Sequence, residues 1–361
     1  MQIFDYFSRA KVKKHNTNTI DLKKKILNIL KYTAFTALGI LMFWLVYRDQ
    51  DFSAYWERLK HDVNYYWVAV SLLLGVLSHI SRTLRWKIAL EPLGEHPKTS
   101  NTFIAVMVSY LMNLLLPRMG EFVRCGLMTK YEKIPFAKLF GTVVTERIVD
   151  MIMLLLMTLI VAIFNFEKLV DLVAQNPELV ANIKRLATSP VLWSGFVVLI
   201  LAVFLYIRHL KKSGHKNKIS QLIDGFIEGI KSVLSMKRYK AYIAHSVFIW
   251  LMYFLMLYMI FFSLDFTKEL GVLAALTTFV MASFGMIAPT QGGMGAWHIM
   301  AALSLNLFGV ELSDGKFFAF LAHESTNLLV VVLGSVLIAL MPFLNRGYKG
   351  NSSQTSQNKI S

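Results

Sequence analysis

Glu146, Arg147 and Asp150 stand near the head of LFGTVVTERIVDMIMLLLMTLIVAIF, a run otherwise oily enough to cross a membrane. A charge at bilayer depth costs at least about 2.5–3.5 kcal/mol unless it is paired or hydrated, so such residues are candidates for function. One guanidinium and two carboxylates can pair with one another. The surplus negative charge then calls for a proton or a second cation, which Arg118 or Arg124 could supply. The plainer alternative is an ion network that only holds helices together.

Upstream, PRMGEFVR sets Arg118, Glu121 and Arg124 directly after the apolar run TFIAVMVSYLMNLLL. Guanidiniums favour bidentate contact with phosphate and a carboxylate can hold one of them, so the set suits a phosphate cradle. Helical spacing places Arg124 on the face of Glu121. An interfacial helix with solvated charges would use the same residues.

A third group lies in APTQGGMGAWH: Gln291, Gly292, Gly293, Gly295 and His298. Glycines let the backbone turn sharply, and a helix starting near Ala296 would aim its positive end at an anionic headgroup. A plain turn between two short helices is the alternative. The fourth group is HESTN, holding His323, Glu324 and Asn327. It nearly spells the zinc-protease pattern HExxH, but the second imidazole at i+4 is missing. A metalloprotease is rejected, and no catalytic residue, metal site or cofactor is expected. His298 and His323 could titrate, although a hydrogen-bonded structural histidine is the commoner role.

The elements that must position these residues are apolar. Hydrophobic residues make up 55% of the 361 positions, and the mean hydropathy is +0.51, far from a soluble globular composition. Stretches of about 20 residues, enough to span a bilayer, fall near 31–47, 66–86, 139–164, 190–208, 241–263 and 318–342. Two more, 101–137 and 271–309, are interrupted at 117–120 (Pro-Arg-Met-Gly) and 289–295 (Pro-Thr-Gln-Gly-Gly-Met-Gly). The expected fold is therefore an all-α polytopic membrane protein with about six full transmembrane helices and two broken, re-entrant helical hairpins.

Charge sets the orientation. The net charge of +16 is concentrated in short segments beside apolar spans, which fits a topology signal and anionic-lipid contact, not nucleic-acid binding. The basic arm 1–30, the link 82–100 with Arg82, Arg85, Lys87 and Lys98, the basic link 209–240 and the tail 346–361 should be cytoplasmic, as should both termini. Segments 48–62 and 165–189 should lie outside. That walk closes if both broken stretches return to the side they entered; two short ordinary crossings in 271–309 would give the same ends. Ile219–Leu234 reads as an amphipathic helix on the inner surface, and the Ser/Asn/Gln-rich tail as disordered. No signal peptide is expected, and the single cysteine, Cys125, leaves no disulfide framework.

Each broken stretch is followed by a crossing helix with polar residues at i, i+1 and i+4: Glu146, Arg147 and Asp150 in one half, His323, Glu324 and Asn327 in the other. The pattern suggests an inverted-topology repeat, in which discontinuous helices form a substrate site.

Together the pieces SRTLRWKIALEPLG, NLLLPRMGEFVRCGLM, TERIVD and APTQGGMGAWH, in this order, resemble the lysylphosphatidylglycerol synthase transmembrane-region family, or flippase-like domain proteins. The resemblance covers roughly 30–342 and defines a flippase-like transmembrane domain over 31–345. It implies an integral lipid-translocating domain, found alone or fused to a soluble aminoacyl-transferring domain for which this chain has no room. Arg118, Gly120, Glu121, Arg124, Glu146, Arg147, Asp150, Pro289, Gly292, Gly293 and Gly295 stand on its motif positions. His298 stands where the family often has Glu, so a carboxylate role is not carried over there.

The expected function is translocation of a polar, phosphate-bearing lipid headgroup through a charged cleft between the hairpins of a bacterial cytoplasmic-membrane protein. Membrane phospholipids with anionic or phosphate-bearing headgroups are the expected partners, with a homo-oligomer open. Two other classes stay open: a membrane-embedded transferase or hydrolase on lipid-linked substrates, with Glu324 and His323 its weak candidates, and a non-catalytic membrane anchor acting through 209–240. No nucleotide-binding loop is present and no soluble stretch could house an ATPase, so transport would run downhill or be coupled to an ion.

Overall fold

The computed structural model describes residues 52–165 and 235–347, with a few isolated positions beyond them. The apolar stretches 31–47 and 190–208, the segment 219–234, most of the basic link and the tail beyond Gly347 lie outside the described residues.

Nine α-helices carry the described chain: α1 Phe52–His61, α2 Tyr65–Leu90, α3 Thr99–Leu115, α4 Gly120–Glu132, α5 Phe136–Phe164, α6 Tyr239–Phe261, α7 Val272–Gly285, α8 Ala296–Asn306 and α9 Leu312–Leu344. No strand occurs among the described residues. Helices α2, α5, α6 and α9 are long and apolar enough to cross a membrane, whereas α3 and α7 are shorter apolar helices. These helices form because their apolar residues satisfy backbone hydrogen bonds internally, which the hydrocarbon region demands.

The two ends of the bundle are fixed by polar contacts. At one end Lys87 bonds Thr99 (2.6 Å), Arg238 bonds Glu91 (2.8 Å), Glu132 accepts from Lys98 and Asn101, and Asn101 pairs with Asn345. At the other, the Asn64 N–H reaches the Ser263 carbonyl (2.9 Å), Asn165 bonds Thr277 (3.1 Å) and Arg58 bonds Asp314 (2.8 Å). The α3–α4 hairpin therefore begins and ends at the first end, and the α7–α8 hairpin begins and ends at the second.

Their tips meet between the two ends of the bundle. The Arg118 guanidinium donates to the Ile287 carbonyl at 2.8 Å, and a Cβ on Gly292 would lie 2.5 Å from Leu114 Cδ2. Pro117 has no N–H to donate, and Arg118 at φ 62° turns the chain left-handed, which ends α3 and starts α4. The arms of each hairpin press together at glycines. A Cβ on Gly120 would come within 2.0 Å of the Ser109 carbonyl oxygen, and one on Gly285 within 2.7 Å of Trp297 Cα.

Direction along the chain then repeats with inverted sense. Helix α2 runs from the second end to the first, the α3–α4 hairpin enters from the first, and α5 returns. Helix α6 runs from the first end to the second, the α7–α8 hairpin enters from the second, and α9 returns. The antiparallel pair α2 and α6 packs along the centre, where Ser71 bonds the Met256 carbonyl at 2.8 Å. Outward on α5 and α9, Met151, Leu155, Leu159, Leu328, Val332 and Val336 are exposed, as lipid-facing helix surfaces require.

The link expected at 82–100 is shorter than its charges imply. Helix α2 continues through SRTLRWKIAL without a breaker until Glu91-Pro92. Arg82 and Arg85 are thus buried inside a spanning helix and not part of the flanking loop. Their charges are tolerated there because carboxylates of α5 meet them.

Candidate functional site: a buried ion network beside two opposed hairpin tips

Arg82 and Arg85 lie at i and i+3 of α2 and share one face. Opposite them, the i, i+4 pair Glu146 and Asp150 shares one face of α5. Asp150 joins the helices: its Oδ2 accepts from Arg82 at 3.0 Å and its Oδ1 from Arg85 at 2.9 Å. Arg85 also lies 3.4 Å from Glu146 Oε1 and donates to Ser246 of α6 at 3.1 Å. Arg124 of α4 pairs with the other oxygen of Glu146, and its guanidinium lies 4.1 Å above the Trp86 ring. The Trp86 indole N–H is held by Thr142 at 3.0 Å, which fixes that ring. Helices from both sides of the first hairpin are thereby clamped.

The network opens at one edge. Arg147 pairs with Glu121 of α4 and approaches Asp150 at 3.9 Å, yet its side chain is 45% exposed. Arg85 is 0% exposed by the same measure. Arg147 sits 11 residues into α5, about 17 Å from the helix start at 1.5 Å per residue, which is half the depth of a ~30 Å hydrocarbon core. Four guanidiniums face three carboxylates in this cluster, so it carries one surplus positive charge beside an accessible guanidinium.

Placement divides the residues singled out in the sequence. Glu121, Arg124, Glu146, Arg147 and Asp150 come together. Arg118 does not join them, because it lies exposed at the tip and is tied to Ile287. Arg124, which helical spacing set on the face of Glu121, turns to Glu146 instead, while Glu121 takes Arg147. The second cation required by the acids is supplied by Arg124, Arg82 and Arg85 together. Sequence reasoning missed Arg82 and Arg85 as site residues; their signal was two arginines at i, i+3 before any helix breaker. It also missed Tyr110 and Tyr253, whose hydroxyls lie 2.8 Å apart, with Tyr253 accepting from Arg82 at 3.3 Å.

The second hairpin carries its own polar cluster. The Gly295 N–H donates to His298 Nδ1 (3.2 Å), and His298 Nε2 faces Glu324 Oε1 at 3.4 Å. His323 bridges the Gly292 carbonyl through Nε2 (2.9 Å) and Glu324 Oε1 through Nδ1 (3.1 Å). Asn327 Nδ2 reaches His323 Nδ1 at 3.0 Å and Glu324 Oε2 at 3.2 Å. Gln291 and Gly293 are buried in the same turn, and Gly292 and Gly293 adopt φ of 56° and 79°, conformations that favour glycine. Helix α8 does begin at Ala296, but the amide before it is already taken by His298.

Ligand atoms of His298, His323 and Glu324 lie within 4.8 Å of one another, a spacing that would admit a metal ion. Donor chemistry argues against one. Because a backbone N–H points at His298 Nδ1, the ring proton resides on Nε2, and a protonated nitrogen does not ligate. Two ligands are left where stable sites use three or four.

The family model described as lysylphosphatidylglycerol synthase TM region matches residues 30–334. The chain belongs to that family. A UPF0104 membrane protein of Methanocaldococcus jannaschii is 23% identical over 333 residues, which cover 86% of this chain and 96% of that one. No solved structure matches it. Helices and membership together make this an all-α membrane protein of a lipid-related family, and every residue of the ion network falls within the matched range.

Proposed function

We propose that the protein moves a polar, phosphate-bearing lipid headgroup across the membrane along the seam where the two hairpin tips meet, while the acyl chains stay in lipid. The observation that carries this reading is Arg147: a guanidinium halfway down a spanning helix, held by Glu121 and Asp150, and still 45% exposed. Around it Ile148, Met151 and Ile152 are exposed and apolar, so lipid tails can lie against the same face from which the guanidinium is reachable. Arg118 at the tip is the second exposed guanidinium. Each guanidinium by itself suits bidentate phosphate contact.

Arg82, Arg85 and Arg124 are enclosed and serve the site indirectly, by pairing with Glu146 and Asp150 and holding them in place. In this reading the end that carries Lys87, Lys98, Lys133 and Arg238 faces the cytoplasm, and the end with Asp62, Asp265 and Asp314 faces outward. The membrane is the bacterial cytoplasmic membrane, and the protein acts as a transporter, not an enzyme.

The test is reconstitution of the full chain into phosphatidylcholine vesicles containing fluorescent phosphatidylglycerol, with a membrane-impermeant quencher added outside. Protein-mediated movement exposes inner-leaflet probe, so quenching goes to completion. Quenching that stops at the outer-leaflet fraction, as in protein-free vesicles, contradicts the reading.

A further inference from the structure

The cluster on α9 is organised differently from the arginine network, although it occupies the equivalent place in the inverted half. His323 lies 11 residues into α9, again about 17 Å from the helix start. Two of the cluster's hydrogen-bonding directions are settled by the backbone. The Gly292 carbonyl can only accept, so His323 Nε2 carries a proton. The Gly295 N–H can only donate, so His298 Nε2 carries its proton and directs it toward Glu324 Oε1. Asn327 Nδ2 donates to Glu324 Oε2 and lies 3.0 Å from His323 Nδ1, whose one lone pair can take its N–H only while that nitrogen is unprotonated.

What remains is the 3.1 Å contact between His323 Nδ1 and Glu324 Oε1. With no proton between them, a nitrogen lone pair faces a carboxylate oxygen, which repels. One proton there, bound to either atom, turns the contact into a hydrogen bond. When the proton has left, Asn327 can donate to the freed His323 Nδ1 and to the other carboxylate oxygen, Glu324 Oε2, and so supports the deprotonated pair. Other titratable groups do not compete. Helices α3 and α7 contain no charged residue, α8 contributes only His298, and Arg82 and Arg85 of α2 are directed to Asp150. On α6, His245 bonds Ser81 and Tyr253 bonds Arg82 and Tyr110. On α2, His79 packs against Tyr110.

We propose that the His323–Glu324 pair is a proton-binding site that couples lipid movement to a transmembrane proton gradient, an inference that rests on the transport reading above. The coupling element is the second hairpin tip. His323 is bonded to the Gly292 carbonyl, and His298, which faces Glu324, is bonded to the Gly295 N–H. Loss or gain of the shared proton therefore changes both side chains that anchor the turn between α7 and α8. That turn abuts Leu114 at the tip of the first hairpin.

Two measurements on the reconstituted full chain test this. The first is the infrared difference spectrum between alkaline and acidic pH, which reads proton uptake without any transport. Wild type should gain a band from a protonated carboxyl or imidazolium that Glu324→Gln lacks and His323→Gln alters, in samples whose thermal melting matches wild type. The second is fluorescent phosphatidylglycerol movement with and without an imposed pH gradient. Wild type should respond by about tenfold, the usual scale of coupling between sites, and Glu324→Gln should not respond. A wild-type difference spectrum preserved in Glu324→Gln, or lipid movement indifferent to the gradient, overturns the proposal. If wild type moves no lipid under any condition, the transport reading fails, and the infrared band still decides whether the pair binds a proton.

Discussion

Arg118, at the tip of the first hairpin, donates to the backbone carbonyl of Ile287 at the tip of the second, 2.8 Å away and 169 residues distant in sequence. Two segments that enter from opposite ends of the bundle are thereby joined near its middle by one side chain. Arg118 makes this contact from a left-handed backbone conformation, φ 62°, that a residue with a Cβ adopts at a cost. The strain and the contact belong together, since the turn that costs energy is what aims the guanidinium at the other hairpin.

Alanine at position 118 keeps the strain and loses the tie, whereas glycine loses both. Arg118→Ala should lower stability by about 1 kcal/mol or more, and Arg118→Gly should recover about 1 kcal/mol of that loss. Thermal unfolding of the purified protein in detergent compares them. Identical melting of the two variants would mean that the backbone at 118 is not left-handed.

Asp150 neutralises two enclosed guanidiniums at once. Asp150→Ala leaves Arg82 and Arg85 without their shared carboxylate and should cost about 3–5 kcal/mol, the penalty for removing one partner of a buried ion pair. Much of that should return when Arg82→Met is added, because the variant then has one uncompensated cation fewer. A double-mutant cycle by denaturant unfolding reads the coupling; additive losses would sink the pairing.

Close contact within each hairpin depends on particular glycines. Gly120→Ala would push a methyl into the Ser109 carbonyl, a backbone atom that has nowhere to go, and should cost about 1–3 kcal/mol as overpacking. Gly126→Ala, on the same helix with open space around it, should be neutral or stabilise by up to about 1 kcal/mol. Equal effects of the two would contradict the packing of α4 on α3.

Re-entrance makes a labelling prediction. Cys125 is the single cysteine and is buried, so Cys125→Ala provides a background without cysteine. Added to it, Lys133→Cys should react with an impermeant maleimide from one face and Lys268→Cys from the other. Leu115→Cys, exposed at the first tip, should react slowly from either face. Fast labelling of position 115 from the face opposite to 133 would make α3 and α4 two full crossings.

Both breaks were legible in the sequence because proline and clustered glycine interrupt apolar runs, and the structure turns at Pro117–Gly120 and around 286–295. Glu146, Arg147 and Asp150 were legible because charge is rare in such a helix. Arg82 and Arg85 were not, since two arginines near the end of a span look like the basic flank that orients it. Only their carboxylate partners, 65 and 68 residues away, show that they are inside. The partner of Arg118 is a main-chain carbonyl, which has no signature in a residue string. For Arg124, a same-helix carboxylate at i−3 pointed to the wrong partner, because Glu146 on α5 lies in the more enclosed position.

Arg147→Ala compared with wild type in the phosphatidylglycerol vesicle assay tests the account most directly. Arg147→Ala leaves Glu121, whose side chain is 15% exposed, without its cation, so the comparison is made on protein that thermal melting shows to be folded. Folded Arg147→Ala should move the probe at least about tenfold more slowly than wild type, as loss of one charge-assisted contact implies. A folded Arg147→Ala that moves lipid at the wild-type rate would contradict it.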